Sequence, residues 1–288
     1  MKKKSDITFL LLIKDRPFFF NRWLKFHVNE LGGEEIIISD GGKKSIFSED
    51  LEIVKTKKNI KYYKFDFDKN YKKFIEKVYL SLKKIKTKYT IFCSDDDFLN
   101  LSAIIYAKNR IAKKNYFSSV QANFLAFQGY DKFNRIFSIP SGLAFMRSIS
   151  KTHINKNKYN KIKNFFSDPA GAFHFLTKTS LLREAYKSAL KSKIFNADLL
   201  DLLINITIHS KHILKINNIF HMHQYHQKSE AHQRSYKELS KKKFKGEIKY
   251  LINFISKNLN FKKKLFSGDL MKFIIETGNK ELYNKKKN

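Results

Sequence analysis

The sequence of 288 residues has little of what marks secreted and membrane proteins. Its single cysteine, Cys93, excludes a disulfide framework and a zinc site built from several thiolates. The longest apolar run, Ile7–Ile13, is interrupted by Thr8 and is far shorter than the roughly 20 residues of a membrane-spanning helix. The basic first residues are followed by no small-residue cleavage site, so we predict no signal peptide. We therefore expect a cytoplasmic protein.

Acidic residues are also scarce. The chain has 58 Lys+Arg against 26 Asp+Glu, a formal net charge of +32, which suggests anionic partners such as nucleic acid, lipid head groups or phosphorylated metabolites. Lysine is spread along the whole chain, however, and this favours a solvated basic surface over a dedicated site. Since no helix-turn-helix, RNP or zinc-finger pattern is present, we expect no nucleic-acid partner. The 42% apolar share excludes general disorder.

The first hundred residues alternate between strand-like and helix-like segments. Four short apolar runs are typical of buried strands: Ile7–Ile13, Glu35–Asp40, Ile60–Phe67 and Tyr89–Cys93. Between them, one helix begins near Pro17, and apolar residues from Tyr71 to Ile85 recur at helical spacing. This βαβ rhythm predicts an α/β fold with a mostly parallel sheet and helices on both faces.

The rest of the chain is predicted in less detail. We expect helices over residues 101–114 and 198–208, strands within 117–130, 172–177 and 213–220, and a polar loop over 147–167. A helical stripe in the basic tail consists of Ile248, Leu251, Ile252, Ile255 and Leu259. We therefore divide the chain into a main domain, 1–226, and a basic helical C-terminal extension, 227–288.

Polar residues follow several of the predicted strands. Three strand ends carry them: Lys14-Asp15-Arg16, Asp40 and Asp95-Asp96-Asp97. In open parallel sheets, ligands bind outside the carboxyl ends of the strands, so these groups meet at one edge. Carboxylates packed this closely repel one another unless a cation is present, and oxygen ligands favour Mg²⁺ or Mn²⁺ bound together with substrate phosphates. The alternative interpretation is a solvated acidic turn.

The same residues resemble the motifs of the GT-A nucleotide-diphospho-sugar glycosyltransferases, and most closely those of the family 2-like enzymes. The opening strand and turn are matched by residues 12–17, the second strand by Ile36-Ile37-Ile38-Ser39-Asp40, and the DxD motif by Asp95-Asp96-Asp97. The likeness covers residues 7–226, with Asp15 in place of the more usual Asn. It implies a GT-A (Rossmann-like) sheet and a metal-dependent glycosyltransferase that uses a nucleotide-diphosphate sugar, most commonly a UDP-sugar.

The resemblance also implies residues that bind the nucleotide. Asp40 would hydrogen-bond the base or the ribose, as would the backbone and side chains of Lys14, Asp15 and Arg16. Asp96 belongs with these substrate-binding residues. For Arg16 a second interpretation stays open, namely a salt bridge that anchors the first turn.

For the metal, the resemblance implies Mn²⁺ or Mg²⁺ bridging the diphosphate. Asp97 would ligate the ion, and Asp95 would contact the ribose or the ion. In several GT-A families a late histidine completes the metal shell, and His226 is our candidate, with a surface or core-capping role as the alternative. On a strand, His221 and His223 share a face and His226 points the other way, which makes these three a poor zinc cluster.

An inverting transferase also needs a carboxylate that takes the proton of the acceptor hydroxyl. Asp198 and Asp201 fall at i and i+3 on a predicted helix, and the resemblance places Asp198 where the family 2 base stands. The alternatives are an N-cap role for Asp198 and a solvent-facing position for Asp201. The predicted enzyme is an inverting transferase of cell-surface polysaccharide synthesis, with a glycan or lipid-linked acceptor.

Two other functions remain open. A nucleotidyltransferase of related fold usually opens with a glycine-rich loop, and residues 13–17 contain no glycine. A non-catalytic basic protein on an anionic membrane or nucleic acid would use the amphipathic helix near 248–259 and its neighbouring lysines. The alternative is that this stripe packs on the main domain. An enzyme at the inner membrane face would combine transfer with peripheral membrane contact.

Overall fold

The computed structural model describes residues 6–31, 33–128, 145–146, 157–167, 169, 171–225, 236–239 and 242–287. Within these residues the chain forms one nine-stranded, mixed sheet with helices packed on both faces. The predicted α/β class is confirmed.

The first half of the sheet is parallel throughout. Its elements are β1 (Ile7–Ile13), α1 (Pro17–His27), β2 (Glu35–Asp40), α2 (Ser48–Thr56), β3 (Ile60–Lys64), α3 (Tyr71–Lys84) and β4 (Tyr89–Ser94). The strands lie in the order β3-β2-β1-β4, with Ile13 opposite Asp40. Helix α3 begins where the side chain of Asn70 accepts a hydrogen bond from the backbone N–H of Lys73. Helix α2 was not predicted from the sequence.

The second half of the sheet is mixed. Its elements are β5 (Asp97–Leu99), α4 (Leu101–Ala112), β6 (Ser119–Gln128), β7 (Phe145–Met146), α5 (Lys158–Ser167), a 3₁₀ turn (Ala172–His174), β8 (Leu176–Lys178), α6 (Thr179–Lys191), α7 (Ala197–His209) and β9 (Ile213–Tyr225). From β4 the order continues β8-β6-β9-β5, and β7 pairs with β6. Strands β8 and β5 are antiparallel to their neighbours, whereas β6 and β9 are parallel to each other. Strands β1–β4, β6 and β9 therefore end at the same edge.

Several predicted elements of this half differ from the structure. The expected loop over 147–167 contains α5, which buries Ile162 and Phe165 against the core. The expected strand over 172–177 is a 3₁₀ turn followed by β8. Strand β9 extends past Phe220 to Tyr225, because its last residues pair with both β5 and β6. Helix α6 and the three-residue β5 were not predicted, since so short a strand carries no periodic signal.

Both faces of the sheet are buried, as the continuous apolar runs indicated. In β1, Leu10 and Leu12 point into one hydrophobic cluster, and Phe9, Leu11 and Ile13 point into the other. This alternation explains why β1 shows no polar face.

The C-terminal helices share a core with the sheet domain. They are α8 (Tyr236–Leu239), α9 (Lys245–Leu259) and α10 (Lys263–Lys287). Ile248, Leu251, Ile252 and Ile255 of α9 are buried in the cluster that contains α6 and α7. The interpretation that this stripe packs on the main domain is therefore correct, and the stripe is not available to a membrane. The division at residue 226 stays a prediction.

Among the helices of the described residues, none combines the length and the hydropathy needed to cross a bilayer.

Candidate functional site

The loops that follow β1 and β2 are locked together at the carboxyl edge of the sheet. Asp15 has a positive φ of 54°, and its side chain accepts hydrogen bonds of 2.6 Å from the backbone N–H groups of Lys43 and Lys44. Gly42 lies so close that a Cβ there would be 2.6 Å from the backbone nitrogen of Asp15. Because each loop fixes the other, the backbone around residues 14–16 is preorganised.

Asp40 ends β2 at this edge and is 2% exposed. Its carboxylate accepts hydrogen bonds from Tyr62 Oη at 2.6 Å, Lys64 Nζ at 2.8 Å and the Gly42 backbone N–H at 2.7 Å. Burial, together with the hydrogen bond to Asp40, raises the pKa of Tyr62. The chain itself therefore compensates the charge of Asp40. The predicted contact of Asp40 with a nucleotide stays a prediction.

A buried ion pair that we did not predict supports these loops. Lys77 of α3 places its Nζ 2.6 Å from Asp68 Oδ2 and donates a 3.2 Å hydrogen bond to the carbonyl of Ile13. Both side chains are about 2% exposed. Burial lowers the pKa of Lys77, while the charge of Asp68 opposes that effect. Lysine on the apolar face of a helix is the sequence signal that could have identified this pair.

Two carboxylates of the aspartate triplet are held by Arg16. Its guanidinium donates to Asp95 Oδ1 and, at 2.9 Å, to Asp96 Oδ2. Burial raises the pKa of Asp95 to about 7, with Arg16 opposing the effect and the two neighbouring aspartates adding to it. The salt-bridge interpretation of Arg16 is confirmed, although its partners are Asp95 and Asp96, which follow β4, rather than residues of the first turn.

Lys14 follows β1 beside an aromatic ring. Its Nζ lies 5.3 Å from the centroid of the Phe67 ring, and Nζ of Lys43 lies 4.5 Å from the same centroid. Two ammonium groups therefore flank one ring at this edge, where they add positive charge near the predicted nucleotide residues.

Asp97 has different surroundings, since it faces histidines. Its Oδ1 lies 2.7 Å from His223 Nδ1, and its Oδ2 lies 3.7 Å from His221 Nδ1 and 3.9 Å from His174 Nδ1. The antiparallel pairing of β5 with β9 sets Asp97 opposite His223, and the 3₁₀ turn supplies His174. The backbone N–H of Ser94 also donates to Asp97 Oδ2 at 3.0 Å.

These side chains form two overlapping groups able to hold a metal ion. One consists of Asp97, His174 and His221, the other of Asp96, Asp97 and His223, and within each group the ligand atoms lie within 4.8 Å of one another. Both ring nitrogens of His221 and Nδ1 of His174 are buried without a hydrogen-bond partner. An unsatisfied buried nitrogen costs about 1–3 kcal/mol, which a bound ion would recover.

The protonation states also suit a metal. Burial lowers the pKa of His221 to about 3, so its ring is neutral at physiological pH, as metal ligation requires. Burial alone would raise the pKa of Asp97, but the hydrogen bond to His223 holds it below its usual value, so the carboxylate is ionised. A mixed nitrogen and oxygen donor set suits Mn²⁺ better than Mg²⁺.

The predicted metal ligands are only partly brought together. Asp97 lies in both groups, whereas Asp95 lies in neither of the groups formed by described residues and is bound by Arg16. His226 lies outside the described residues. His221 and His223 share a face, as expected, and that face lies against Asp97, so each of them belongs to one of the two groups. His174 was missed, because only the tertiary structure brings residue 174 to the triplet.

Helix α7 directs its first turn to the same edge of the sheet. Asp201 in its second turn accepts a hydrogen bond from Tyr71 at the start of α3, and its last residue leads through a short turn into the start of β9, so Asp198 lies toward the carboxyl ends of the strands. The N-cap is Asn196, which accepts from the Leu199 backbone N–H at 3.0 Å, so the capping interpretation of Asp198 is wrong. Asp198 is 7% exposed. Its catalytic role stays a prediction.

Asp201 lies one turn further along α7 and does not face solvent. It is half-buried, and it accepts hydrogen bonds of 3.1 Å from Tyr71 Oη and from Asn205 Nδ2. Asn205 in turn accepts from the backbone N–H of Ala172 at 2.7 Å, which ties α7 to the turn that carries His174. The contacts favour a positioning role for Asp201.

No protein-family model matches the sequence, and the comparison with curated proteins finds no match. Solved structures do match. TarS 1–349 of S. aureus in complex with UDP-GlcNAc superposes with a TM-score of 0.60 at 11% sequence identity, over 94% of this chain and 72% of that one. The complex of TarS 1–349 with UDP gives a TM-score of 0.58 at 12% identity, over 94% and 71% of the two chains.

A longer TarS structure gives the same TM-score of 0.58, but this chain covers only 43% of it. TarS is a GT-A-like glycosyltransferase. At such low identity the likeness establishes the fold alone, and it confirms the GT-A-like architecture expected from the sequence motifs. The chain therefore has the GT-A-like fold that TarS shows in its complexes with UDP-GlcNAc and UDP.

Proposed function

We propose that this protein is a metal-dependent glycosyltransferase that moves a sugar from a nucleotide-diphosphate sugar to a hydroxyl acceptor. The observation that carries the proposal is the cluster of Asp97, His174 and His221 at the carboxyl edge of a GT-A-like sheet. The TarS structures that share this fold hold UDP-GlcNAc or UDP, so a UDP-sugar is the donor class we favour.

The loops after β1 and β2 would bind the nucleotide. Asp15 and Gly42 fix the backbone there, and the carboxylate of Asp40 lies at the end of β2 beside Lys64. Arg16 and Lys14 add positive charge where a diphosphate would need it. In this proposal Arg16 also keeps Asp95 and Asp96 from repelling the donor phosphates.

Asp97, His174 and His221 would hold a divalent cation, with His223 fixing the orientation of the Asp97 carboxylate through its 2.7 Å contact. When bound, such an ion would neutralise the charge that develops on the departing diphosphate.

Asp198 is our candidate for the general base. Its carboxylate would accept the acceptor's O–H proton while the acceptor oxygen forms a bond to the anomeric carbon. The bond from that carbon to the diphosphate oxygen breaks at the same time, and the nucleoside diphosphate leaves with the electron pair. Attack from the face opposite the leaving group inverts the anomeric configuration.

A glycan or lipid-linked acceptor in cell-surface polysaccharide synthesis fits this chemistry, with the enzyme at the cytoplasmic membrane face. The net charge of +32 supports contact with anionic head groups. Since the apolar stripe of α9 is buried, that contact would be made by surface lysines rather than by insertion.

Donor binding can be tested by thermal shift with UDP-, GDP-, CDP- and TDP-sugars, each with and without Mn²⁺. A ligand that binds only the native state raises the melting temperature, so we expect a rise with UDP-sugars that depends on Mn²⁺. Asp97→Asn should abolish the Mn²⁺-dependent part, while Asp66→Asn, which changes an exposed aspartate of the β3–α3 loop, should retain it. If Mn²⁺ promotes the binding of no donor, the proposal is wrong.

The base is tested by turnover. Asp198→Asn should lower kcat by about 10²- to 10⁴-fold with little change in donor affinity. Asp201→Asn should have a smaller effect on kcat, because Asp201 is already engaged by Tyr71 and Asn205. A near-normal rate in Asp198→Asn would exclude it as the base without affecting the assignment of the metal site.

A further inference from the structure

A second charged site lies at the opposite edge of the sheet. There an open cleft is lined by basic and protonatable side chains of α5, the end of α7, the loop that follows it and β9: Lys161, His209, Lys211, His212 and Lys215. Lys161 belongs to α5, His209 ends α7, and Lys215 lies near the start of β9. No carboxylate is among the residues that line this cleft.

The cations of this cleft are held close together rather than spread into solvent. Lys161, Lys211, His212 and Lys215 are each half-buried. Burial, together with the charges of Lys158 and Lys211, lowers the pKa of Lys161. Burial and the charge of Lys161 lower the pKa of His212. The cleft therefore concentrates positive charge at a cost that an anionic ligand would relieve.

Two ordinary structural roles explain only part of this arrangement. Lys211 Nζ lies 3.6 Å from Glu184 Oε1, a partly exposed pair of small energetic weight. Cations after the C-terminus of α7 also interact favourably with the helix dipole. Neither role accounts for Lys161, which comes from a different helix, α5, and lines the same cleft.

We propose that this cleft binds a phosphate-bearing ligand at a site separate from the donor site. The neighbouring strand β6 covers the interval from Ile213 at the cleft to His221 at the Asp97 cluster in five residues, from Ser119 to Phe124, which is roughly 17 Å at the rise of an extended strand. The two sites open at opposite edges of a sheet whose faces are both buried, so one donor molecule does not occupy both. The ligand chemistry is a phosphate group, carried either by a free phosphorylated compound or by a lipid head group.

The test uses the full chain in EDTA at fixed ionic strength, with inorganic pyrophosphate as the probe in calorimetry. The double variant Lys161→Gln/Lys215→Gln should bind pyrophosphate at least about tenfold more weakly, since it removes two charged hydrogen-bond donors from the cleft. Lys163→Gln is the matched control, because Lys163 is an exposed lysine on the same helix that does not line the cleft. Its affinity should equal that of the wild type.

Hydrogen exchange locates the bound probe. Pyrophosphate should protect the amides of α5 and of residues 209–215, and this protection should be lost in the double variant. If protection falls only on the loops after β1 and β2, or if Lys163→Gln weakens binding as much as the double variant, the proposal is overturned. Melting temperatures of all variants without probe identify any that fail to fold.

The source of the phosphate is settled by a vesicle experiment. Sedimentation with phosphatidylglycerol-containing vesicles that is weakened in the double variant but not in Lys163→Gln identifies a lipid head group. Equal sedimentation of both variants, together with their different affinities for pyrophosphate, identifies a free phosphorylated ligand.

Discussion

The carboxylates of the candidate site fall into two regions that differ in how their charge is compensated. In the parallel half of the sheet, Asp40 is paired with Lys64, and Arg16 binds Asp95 and Asp96. At the junction with the mixed half, Asp97 faces three histidines instead.

This difference separates carboxylates that are bound by cationic side chains from a carboxylate that lies among buried histidines. The carboxylates of the parallel half are bound by Lys64 and Arg16 and so help to fix the loops, although Oδ2 of Asp95 is buried without a hydrogen-bond partner. The imidazoles of His174 and His221 have nitrogens without hydrogen-bond partners, and buried polar groups of that kind are rare in native proteins. The predictions below test this contrast, from the largest expected effect to the smallest.

The largest effect is expected in the parallel half, at the buried ion pair of Lys77 and Asp68. Lys77→Met leaves the Asp68 carboxylate buried without its cation, so we expect a loss of about 3–5 kcal/mol in the free energy of unfolding. Urea denaturation measures it. Lys55→Met, which breaks the exposed pair with Glu52, should cost less than about 1 kcal/mol. Equal losses of stability in the two variants would show that the buried Lys77–Asp68 pair contributes no more than the exposed Lys55–Glu52 pair.

The next effect is a pH dependence of stability caused by His27. Its Nδ1 lies 2.9 Å from the Trp23 carbonyl, and its Nε2 accepts from the Leu99 backbone N–H at 3.0 Å, so both nitrogens are used in the neutral form. Burial lowers its pKa from 6.5 to about 4. As the pH falls, the unfolded chain therefore takes up the proton before the folded chain does. The contribution of His27 to the free energy of unfolding is fully present above pH 6.5 and decreases by roughly 3 kcal/mol as the pH falls toward 4.

Comparing His27→Gln with the wild type between pH 7 and pH 4.5 isolates this contribution. The variant should be less stable at pH 7 but should lose less stability on acidification. A wild type and a variant with parallel pH profiles would contradict the prediction.

A smaller effect is expected for the histidines at Asp97. His221→Gln should lower Mn²⁺ affinity about a hundredfold, equivalent to roughly 2.8 kcal/mol, because it removes an imidazole from the cluster. Calorimetry with Mn²⁺ alone measures this without any donor sugar. His212→Gln, at the opposite edge of the sheet, should bind Mn²⁺ like the wild type. If His221→Gln binds equally well, His221 does not belong to the metal site.

The smallest effect concerns the loop glycine of the parallel half. Gly42→Ala places a Cβ 2.6 Å from the backbone nitrogen of Asp15, and we expect a loss of about 1–3 kcal/mol in stability. Gly268→Ala in α10 meets no atom within 4 Å and replaces a poor helix former, so it should stabilise the protein by about 0.5–1 kcal/mol. Thermal denaturation of the two variants should give shifts of opposite sign.

The sequence predicted the parallel half well because its signals are local. The runs that form β1, β2 and β4 are nearly continuous apolar segments, and the spacing of α3 follows a single helical stripe. The mixed half was predicted poorly. Strands β5 and β8 have three residues each, and their pairing depends on partners far away in sequence.

The site divides in the same way. That Asp40 and the aspartate triplet end their strands at one edge follows from strand direction, which the βαβ pattern already fixes. The resemblance to GT-A enzymes then supplied the nucleotide and metal roles of these residues. Neither the βαβ pattern nor the resemblance indicated that Arg16 would bind Asp95 and Asp96, because a salt bridge between residues about 80 positions apart depends on the tertiary fold.

The sequence by itself therefore determined the α/β class, the edge of the sheet that carries the carboxylates and the helical character of the tail, since hydrophobic periodicity and strand direction are properties of short segments. Only the tertiary structure decided which carboxylate faces histidines and that the α9 stripe is buried. Asp97, His174 and His221 come together because the antiparallel pairing of β5 with β9 places Asp97 beside the histidines of β9, and the 3₁₀ turn adds His174. Contacts between segments so far apart in the sequence produce no periodic pattern.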